Sequence, residues 1–273
     1  MYENMDRDKW MKEFTELYFG NQQNEAFSLK HRNFPKRLYK YQRITDHSLD
    51  SLAKNEWWFA KADTLNNPFD CNSTYYDINV LSDYLKDKIP SEIIKHFGSI
   101  ENIVNDLITR LRSSVRFTCF SESFSNMPMW SHYGENHQGF CVEYDFCELP
   151  IENDFSKHLY PVGYEKNRYD ITNLLKRTLT EGGVDSRVHL ILFIMLMKHS
   201  SWAYEREWRI LFFNRSQNSD KEKSPIVPKA IYFGLNCSED NMAKIKEIVP
   251  EQTKCYKLEM KNNEYFHVNA LEK

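Results

Sequence analysis

The sequence predicts an α+β fold, with a core sheet of several mostly antiparallel strands and helices added around it. Short apolar and aromatic runs of strand character lie between longer segments whose apolar residues recur at helical spacing. No internal repeat, low-complexity tract or linker interrupts the 273 residues. We therefore expect a single domain over residues 1–273, with an N-terminal helical extension at 1–36 and a helical insertion at 84–112.

The individual elements are predicted from local patterns. Runs of aromatic and β-branched residues predict strands at 38–41, 57–60, 115–120, 140–144, 230–233, 255–258 and 265–268. Apolar residues at helical spacing predict helices at 6–19, 171–179, 184–200 and 239–249, whereas the polar segment 21–35 is expected to be a loop. The helix at 184–200 is the most apolar and should be buried on most sides.

Composition argues against several classes of protein. The formal net charge of -3 gives no global field that attracts nucleic acid, so such a contact needs a local patch. Six cysteines are scattered without metal-binding spacing, and we expect free thiols in a reducing compartment. The polar N-terminus shows no signal peptide, and the longest apolar run, 190–197, is too short to span a membrane. We expect a soluble, cytoplasmic protein.

The most informative stretch is 202–213, which is expected to form a strand after the apolar helix. On a strand, Glu205, Glu207 and Arg209 share one face, because alternate side chains point the same way. Trp208 and Ile210 would then pack on the opposite face. Carboxylates are seldom buried without partners. The three charges therefore indicate either a structural ion pair, such as Glu205 with Arg209, or a catalytic carboxylate held by a neighbouring charge.

A second polar signal lies where the strand 115–120 ends at Ser121. The aromatic segment MPMWSHY follows closely and contains Trp130, His132 and Tyr133. His132 is either a general base or ligand donor, or a structural residue among aromatic rings. Ser121 lacks a GxSxG context, so a hydrolase triad is poorly supported.

The loop NNPFD at 66–70 is the third candidate. Its residues are typical of turns, so one interpretation is a plain turn closed by Asp70. In the other, Asn66 and Asp70 hydrogen-bond a ligand or brace the site. No HExxH, GxxxxGK[ST] or GxGxxG pattern occurs, so no metal site and no Walker or Rossmann nucleotide site is expected.

The first predicted strand is basic and aromatic. Cations are interleaved there with rings, a combination that suits stacking on unpaired bases but also occurs on a plain solvated face. The residues concerned are Arg32, Lys36, Arg37, Tyr39, Lys40, Tyr41 and Arg43.

Taken in order, a basic strand, a serine at a strand end and paired glutamates suit cleavage of the glycosidic bond of NAD. A carboxylate can stabilise the oxocarbenium character that develops on the ribose. A serine and a cation can fix the ribose and diphosphate, and aromatic rings can sandwich the nicotinamide.

Five segments resemble a prokaryotic family of unknown function that is often met in phage-defence and abortive-infection settings. They are YKY at 39–41, NNPFD at 66–70, CFSE at 119–122, MWSHYGENHQGFCVEYD at 129–145 and KHSSWAYEREWRI at 198–210. The chain has Asn67 where aspartate is more familiar in that family, and Gln42 where arginine commonly follows YKY.

The order of the three strand signals is also similar to that of the ADP-ribosyltransferase toxins. This resemblance implies an ADP-ribosyltransferase-like sheet core, NAD as the substrate and Glu207 as the catalytic residue. It implies that Glu205 orients the nucleophile or the nicotinamide ribose, and that Lys40 or Arg43 is the basic first-strand residue. The second motif here is CFSES rather than the usual STS. The residues expected to hold NAD are Tyr39, Lys40, Tyr41, Asn66, Asp70, Ser121, Trp130, His132, Tyr133 and Arg209.

The preferred hypothesis is an NAD-dependent ADP-ribosyltransferase toxin of a bacterial toxin–antitoxin defence system. It would modify nucleic acid, with RNA favoured, and would have a neutralising antitoxin partner. One alternative is a nuclease that uses His132, Glu205 and Glu207 with a divalent metal. The other is a non-catalytic sensor that binds a phage protein or nucleotide in an aromatic cleft.

Overall fold

The computed structural model describes residues 4–20, 22–65, 69–213 and 220–271. Within these ranges the α-helices are α1 Asn4–Phe19, α2 Gln23–Arg32, α3 Asp46–Ala53, α4 Ile78–Leu85, α5 Ser91–Phe97, α6 Ile100–Ser113, α7 Met127–His132, α8 Asp154–Lys157, α9 Thr172–Glu181, α10 Val184–Leu196 and α11 Glu239–Ile248. Short 3₁₀ helices occur at Ala62–Thr64, Phe146–Glu148 and Ser200–Glu205.

The strands of the same ranges are mostly short. They are β1 Leu38–Gln42, β2 Glu56–Trp58, β3 Ala60–Lys61, β4 Thr74–Tyr75, β5 Val115–Ser121, β6 Phe140–Tyr144, β7 Leu159–Pro161, β8 Gly163–Glu165, β9 Tyr169–Asp170, β10 Met197–His199, β11 Glu207–Phe213, β12 Lys221–Lys223, β13 Ala230–Phe233, β14 Lys254–Lys261 and β15 Glu264–Leu271.

Nine of these described strands form one open sheet in the order β15-β14-β13-β6-β1-β5-β11-β7, with β3 added beside β5. All of its neighbouring pairs are antiparallel except β13 with β14. The prediction of an α+β protein with a mostly antiparallel sheet is therefore confirmed. None of the described helices is long and apolar enough to cross a membrane.

Three local predictions were wrong. The segment expected to be a loop contains α2, whose Ala26 and Leu29 are buried beside α1, so tertiary packing outweighs its polar composition. Helix α10 ends at Leu196 rather than Ser200, because the next residues pair with β8 as the parallel strand β10. Glu205 ends a 3₁₀ helix instead of lying within a strand, and β11 begins only at Glu207.

One face of the sheet holds the main apolar core. Trp208 and Ile210 lie on this face, as the alternation along β11 predicts. Trp10 of the N-terminal helix stacks on Trp208, with ring centroids 6.1 Å apart. Phe14, one turn further along, meets the ring of Tyr160 at 6.1 Å. The N-terminal helices are thus part of the packing that holds β11 in place.

The opposite face carries a row of side chains that crosses six strands. Successive strands align Glu207 with Ser121, Ser121 with Tyr39, Tyr39 with Glu143, Glu143 with Ala230, and Ala230 with Lys254. Side chains opposite each other on neighbouring strands share a face. Because neighbouring strands lie ~4.8 Å apart, this row, called here the Glu207 row, spans roughly 24 Å.

The junction between β1 and β5 lies in the middle of this row. Among the described residues these two strands share a single register pair, Tyr39 with Ser121. By contrast, β5 and β11 are aligned over seven residues, and β1 and β6 over five. The backbone ladder between these two strands is therefore confined to Tyr39 and Ser121.

Candidate active site

Glu207, the first residue of β11, has only 5% of its surface exposed. Arg209 donates from Nε to Oε1 at 2.8 Å and from a terminal nitrogen to Oε2 at 3.0 Å. Lys198 Nζ lies 3.3 Å from Oε2. Burial acts to raise the pKa of Glu207, but the two cations outweigh it and hold the pKa well below its usual range. The carboxylate is therefore ionised at neutral pH.

Glu205 reaches the same site from outside the strand. Arg206 has a φ of 44°, and this left-handed residue turns the chain between the two glutamates. The Ser121 hydroxyl donates to the Glu205 carbonyl oxygen at 2.7 Å, and Tyr133 donates its hydroxyl to Oε1 at 2.8 Å. Burial, followed by the charge of Glu207, raises the pKa of Glu205. The two glutamates therefore differ in their affinity for a proton, as expected of groups with different chemical roles.

Lys198, on β10, lies between three carboxylates. Its Nζ is 2.5 Å from Glu205 Oε2, 3.3 Å from Glu207 Oε2 and 3.3 Å from Asp70 Oδ2. Burial acts to lower the pKa of Lys198, but the carboxylates outweigh it and raise the pKa. Sequence reasoning missed this residue, because a helix was expected to continue through it. A lysine at the end of an otherwise apolar segment was the available signal.

Asp70 does more than close a turn. One terminal nitrogen of Arg209 donates to Asp70 Oδ1 at 2.8 Å and to Oδ2 at 2.9 Å, and the other donates to the Met195 carbonyl oxygen at 2.6 Å. The Asp70 carboxylate also accepts the backbone N–H of Cys71 at 2.8 Å. Arg209 thus links the loop, α10 and β11. Asp70 closes its turn and braces this charged cluster, and its contact with a ligand stays a prediction. Asn66, the other predicted residue of this loop, lies outside the described residues.

A cavity of about 190 Å³ opens beside these charges. Its lining includes Tyr39, Lys40, Tyr41, Ser121, Glu205 and Glu207. The cavity lies at the junction of β1 and β5. The single register pair between these strands, Tyr39 with Ser121, forms part of its wall.

Lys40 is the cation that the first strand contributes to the cavity. Its Nζ donates to Thr118 Oγ1 at 2.6 Å and to the Cys119 carbonyl oxygen at 3.2 Å. Arg43, the alternative basic residue, is exposed and is not among the described residues that line the cavity. With Lys40, Lys198 and Arg209 against Asp70, Glu205 and Glu207, three positive charges face three negative ones.

Trp130 and His132 are not among the described residues that line the cavity. Trp130 is fully buried, donates its indole N–H to the Phe124 carbonyl oxygen at 2.7 Å, and meets the Tyr41 ring edge-on at 5.1 Å. It therefore supports the cavity wall from behind. His132 is exposed and lies beside the ring of Trp202 at 6.4 Å.

The basic run at 32–43 does not form one exposed stripe. Lys40 lies inside the cavity, and Arg37 pairs with Glu143 at 2.8 Å and also with Asp145. Across the described part of the chain, no group of three or more His, Cys, Asp or Glu side chains is arranged to hold a metal ion. All six cysteines are free.

Residues 129–210 match the model of a family described as "Protein of unknown function (DUF2971)". The matched segment contains the MWSHYGENHQGFCVEYD stretch and the KHSSWAYEREWRI stretch, and therefore Tyr133, Lys198 and both glutamates. No curated protein and no solved structure matches the chain. The family description names no activity.

Proposed function

We propose that the chain is an NAD-dependent ADP-ribosyltransferase. The observation that carries the proposal is the register of Glu207, Ser121 and Tyr39 on three adjacent strands at the wall of one cavity. Lys40 adds a cation to that cavity, and Glu205 adds a second carboxylate with a different proton affinity. These are the groups that transfer of a ribosyl unit needs, and residues distant in sequence supply them.

In the proposed reaction, the bond between ribose C1′ and the nicotinamide nitrogen breaks, and its electron pair leaves with neutral nicotinamide. Positive charge then develops on the ribose. Glu207 is held ionised by Arg209 and Lys198 and stabilises that charge in a water-poor site. An acceptor oxygen or nitrogen forms the new bond to C1′, and its proton passes to Glu205, whose raised pKa suits a general base.

Lys40 and Ser121 have the binding roles in this proposal. An ammonium group in the cavity favours the diphosphate, because ionised groups form the stronger hydrogen bonds. The Ser121 hydroxyl already holds the Glu205 backbone and fixes the position of that residue relative to β5. Tyr39, Tyr41 and Tyr133 supply ring surface for the nicotinamide.

The biological setting that we propose is a toxin–antitoxin system of bacterial phage defence, with a neutralising antitoxin and a nucleic acid as acceptor. This part of the proposal is supported by the resemblance of the five sequence segments. The contacts of the site do not bear on it.

The test uses purified protein with NAD labelled in its ADP-ribose part, together with RNA, DNA or protein as acceptor. We expect nicotinamide release and label transfer, and we expect Glu207→Gln to lower the rate by about 10²–10³. Glu181→Gln is the matched control, because Glu181 also pairs with an arginine, Arg177, but lies on α9 and is not among the described lining residues. Thermal unfolding of each variant separates loss of chemistry from loss of fold.

Absence of nicotinamide release by well-folded wild-type protein with every acceptor would refute the proposal. Cleavage of nucleic acid without NAD would favour the nuclease alternative. Equal activity of Glu207→Gln and Glu181→Gln would remove Glu207 from the chemistry.

A further inference from the structure

A second cavity, of about 370 Å³, lies at the far end of the Glu207 row. It is called here the Lys254 groove, and its lining includes Arg37, Glu143, Lys229, Tyr232, Lys254 and Tyr256. Three of these residues, Glu143, Tyr232 and Lys254, come from three different strands of the same sheet. No role in the proposed chemistry accounts for them.

The groove carries a stack of aromatic rings. Phe124 stacks on Tyr232 with centroids 4.1 Å apart and planes inclined by 11°, and Tyr232 stacks on Tyr256 at 5.2 Å and 17°. Tyr256, at the end of the stack, is half-buried. Its outer face can extend the stack by one more flat ring, as unpaired bases do on protein aromatics.

Tyr39 connects the groove to the candidate active site. Its side chain lines the first cavity, and its ring meets that of Tyr232 edge-on at 6.1 Å. From Tyr39 to Lys254 the row crosses three strand spacings, a distance of roughly 15 Å. A ligand in the groove therefore lies on the same face of the sheet as the glutamates, and a strand that follows the row from Lys254 reaches the candidate active site.

Three cations line the groove, although the chain as a whole has a formal net charge of -3. They are Arg37, Lys229 and Lys254, and Glu143 is the one lining carboxylate among the described residues. Arg37 pairs with Glu143 and Asp145, and Lys229 pairs with Glu148 at 2.5 Å, so carboxylates next to the groove offset two of these charges. Lys254 is exposed. Lys254 is therefore the cation best placed for the phosphates of an anionic backbone.

We propose that the Lys254 groove binds an unpaired nucleic-acid strand and presents it as the acceptor to the candidate active site. Presentation of the strand as an acceptor rests on the proposed function, whereas binding of the strand does not depend on that function. The strand stacks a base on Tyr256 and sets its phosphates against Lys254 and Lys229. Among the described residues that line the groove, Arg37 is the one that belongs to the basic run at 32–43.

The experiment measures binding by fluorescence anisotropy without NAD. The probes are labelled RNA and DNA of one sequence, about 12 nucleotides long, which is within the site sizes of ~4–16 nucleotides found for single-strand binders. Two phosphate contacts, at Lys254 and Lys229, give an expected slope of log affinity against log salt of about -1.4. The RNA and DNA arms tell which sugar the groove prefers, and a duplex of the same sequence should bind more weakly.

The variants separate charge from stacking. Lys254→Glu changes an exposed side chain, and we expect it to lower affinity about tenfold and to flatten the salt slope by about 0.7 or more. Tyr256→Ala should lower affinity about tenfold and leave the slope unchanged. Lys95→Glu is the control, because it makes the same charge change on the exposed helix α5 and should leave binding as in wild type.

Several outcomes would overturn the inference. They are no binding by folded protein, tighter binding of the duplex, equal effects of Lys254→Glu and Lys95→Glu, or displacement of the oligonucleotide by NAD alone. Nicotinamide release without oligonucleotide binding would refute the groove and leave the proposed transferase standing. Oligonucleotide binding that depends on Lys254 and Tyr256, without NAD turnover, would support the groove and refute the transferase.

Discussion

Two lysines are buried in the described part of the chain, and they have opposite surroundings. Lys198, with 3% of its surface exposed, meets the carboxylates of Asp70, Glu205 and Glu207. Lys30, with 1% exposed, donates to the Lys157 carbonyl oxygen, and its ammonium lies 4.0 Å from the centre of the Tyr160 ring.

The pKa values of the two ammonium groups move in opposite directions as a result. Burial lowers the pKa of Lys30 well below its usual value, whereas the neighbouring carboxylates raise that of Lys198 in spite of burial. Burial alone therefore does not set the pKa of a lysine in this protein, because the neighbouring groups also contribute. The charge of Lys198 holds three carboxylates together, while the long stem of Lys30 fills space between α2 and β7.

The same substitution at both sites gives the strongest test. Lys198→Met leaves the buried carboxylates of Glu207 and Asp70 with Arg209, and leaves that of Glu205 with only the hydroxyl of Tyr133 among the partners described above. We expect it to lower the free energy of unfolding by about 3–5 kcal/mol, the usual cost of breaking a buried ion pair from one side. Urea unfolding measures the loss. If Lys198→Met and Lys30→Met destabilise equally, the distinction between the two lysines fails.

Acid pH provides the second test. The pKa of Glu207 is lowered in the folded protein from an ordinary value of 4.5, so its contribution to stability is complete above that pH. The contribution is lost as the pH falls below about 4.5 towards the folded pKa, by up to ~1.4 kcal/mol per pH unit. Glu207→Gln should therefore lose less stability than wild type between pH 5 and pH 3. Parallel losses, measured by urea unfolding at each pH, would contradict the ion pairing described for Glu207.

A substitution at Tyr133 perturbs the charged groups around Lys198 less strongly. The Tyr133 hydroxyl donates to Glu205, and the residue is 39% exposed. Tyr133→Phe should cost about 1 kcal/mol of stability. It removes a hydrogen bond that favours the ionised form of Glu205, so the acid limb of the activity profile should move to higher pH. An unchanged profile would argue against Glu205 as the base.

Lys30→Met should have the smallest effect. Methionine keeps most of the stem and removes a charge that burial already disfavours, so stability near pH 7 should rise by no more than about 1 kcal/mol. Wild type should gain stability on going from pH 7 towards 10, because the unfolded state binds a proton that the folded state releases more easily. The variant should lack that gain.

The faces on which the β11 side chains lie could be predicted from the sequence, because a strand repeats every two residues. That period places Glu207 and Arg209 on one face and Trp208 on the other without any knowledge of the fold. Lys198 was missed because an apolar helical pattern runs into it, and only pairing with β8 stops the helix. The turn at Arg206 was missed because an arginine with positive φ has no local sequence signal.

The Lys254 groove could not be predicted from local patterns. Its lining comes from residues 37, 143 and 227–256, and these meet only through the register between strands that are far apart in the chain. Register depends on which faces are buried across the whole sheet. The basic run at 32–43 is visible in the sequence because its cations lie close together along the chain. In the structure, Lys40 lines the first cavity and Arg37 lines the Lys254 groove.

The single register pair between β1 and β5 has a mechanical consequence. On one side of this pair, β5, β11 and β7 form one continuous strand ladder. On the other side, β1, β6, β13, β14 and β15 form a second. Side chains also join the two ladders across this pair: Lys40 donates to Thr118 and to the Cys119 carbonyl oxygen, and Tyr41 donates to the Ser123 carbonyl oxygen. A change in the angle between the ladders would therefore strain contacts made by two residues that line the cavity beside Glu207.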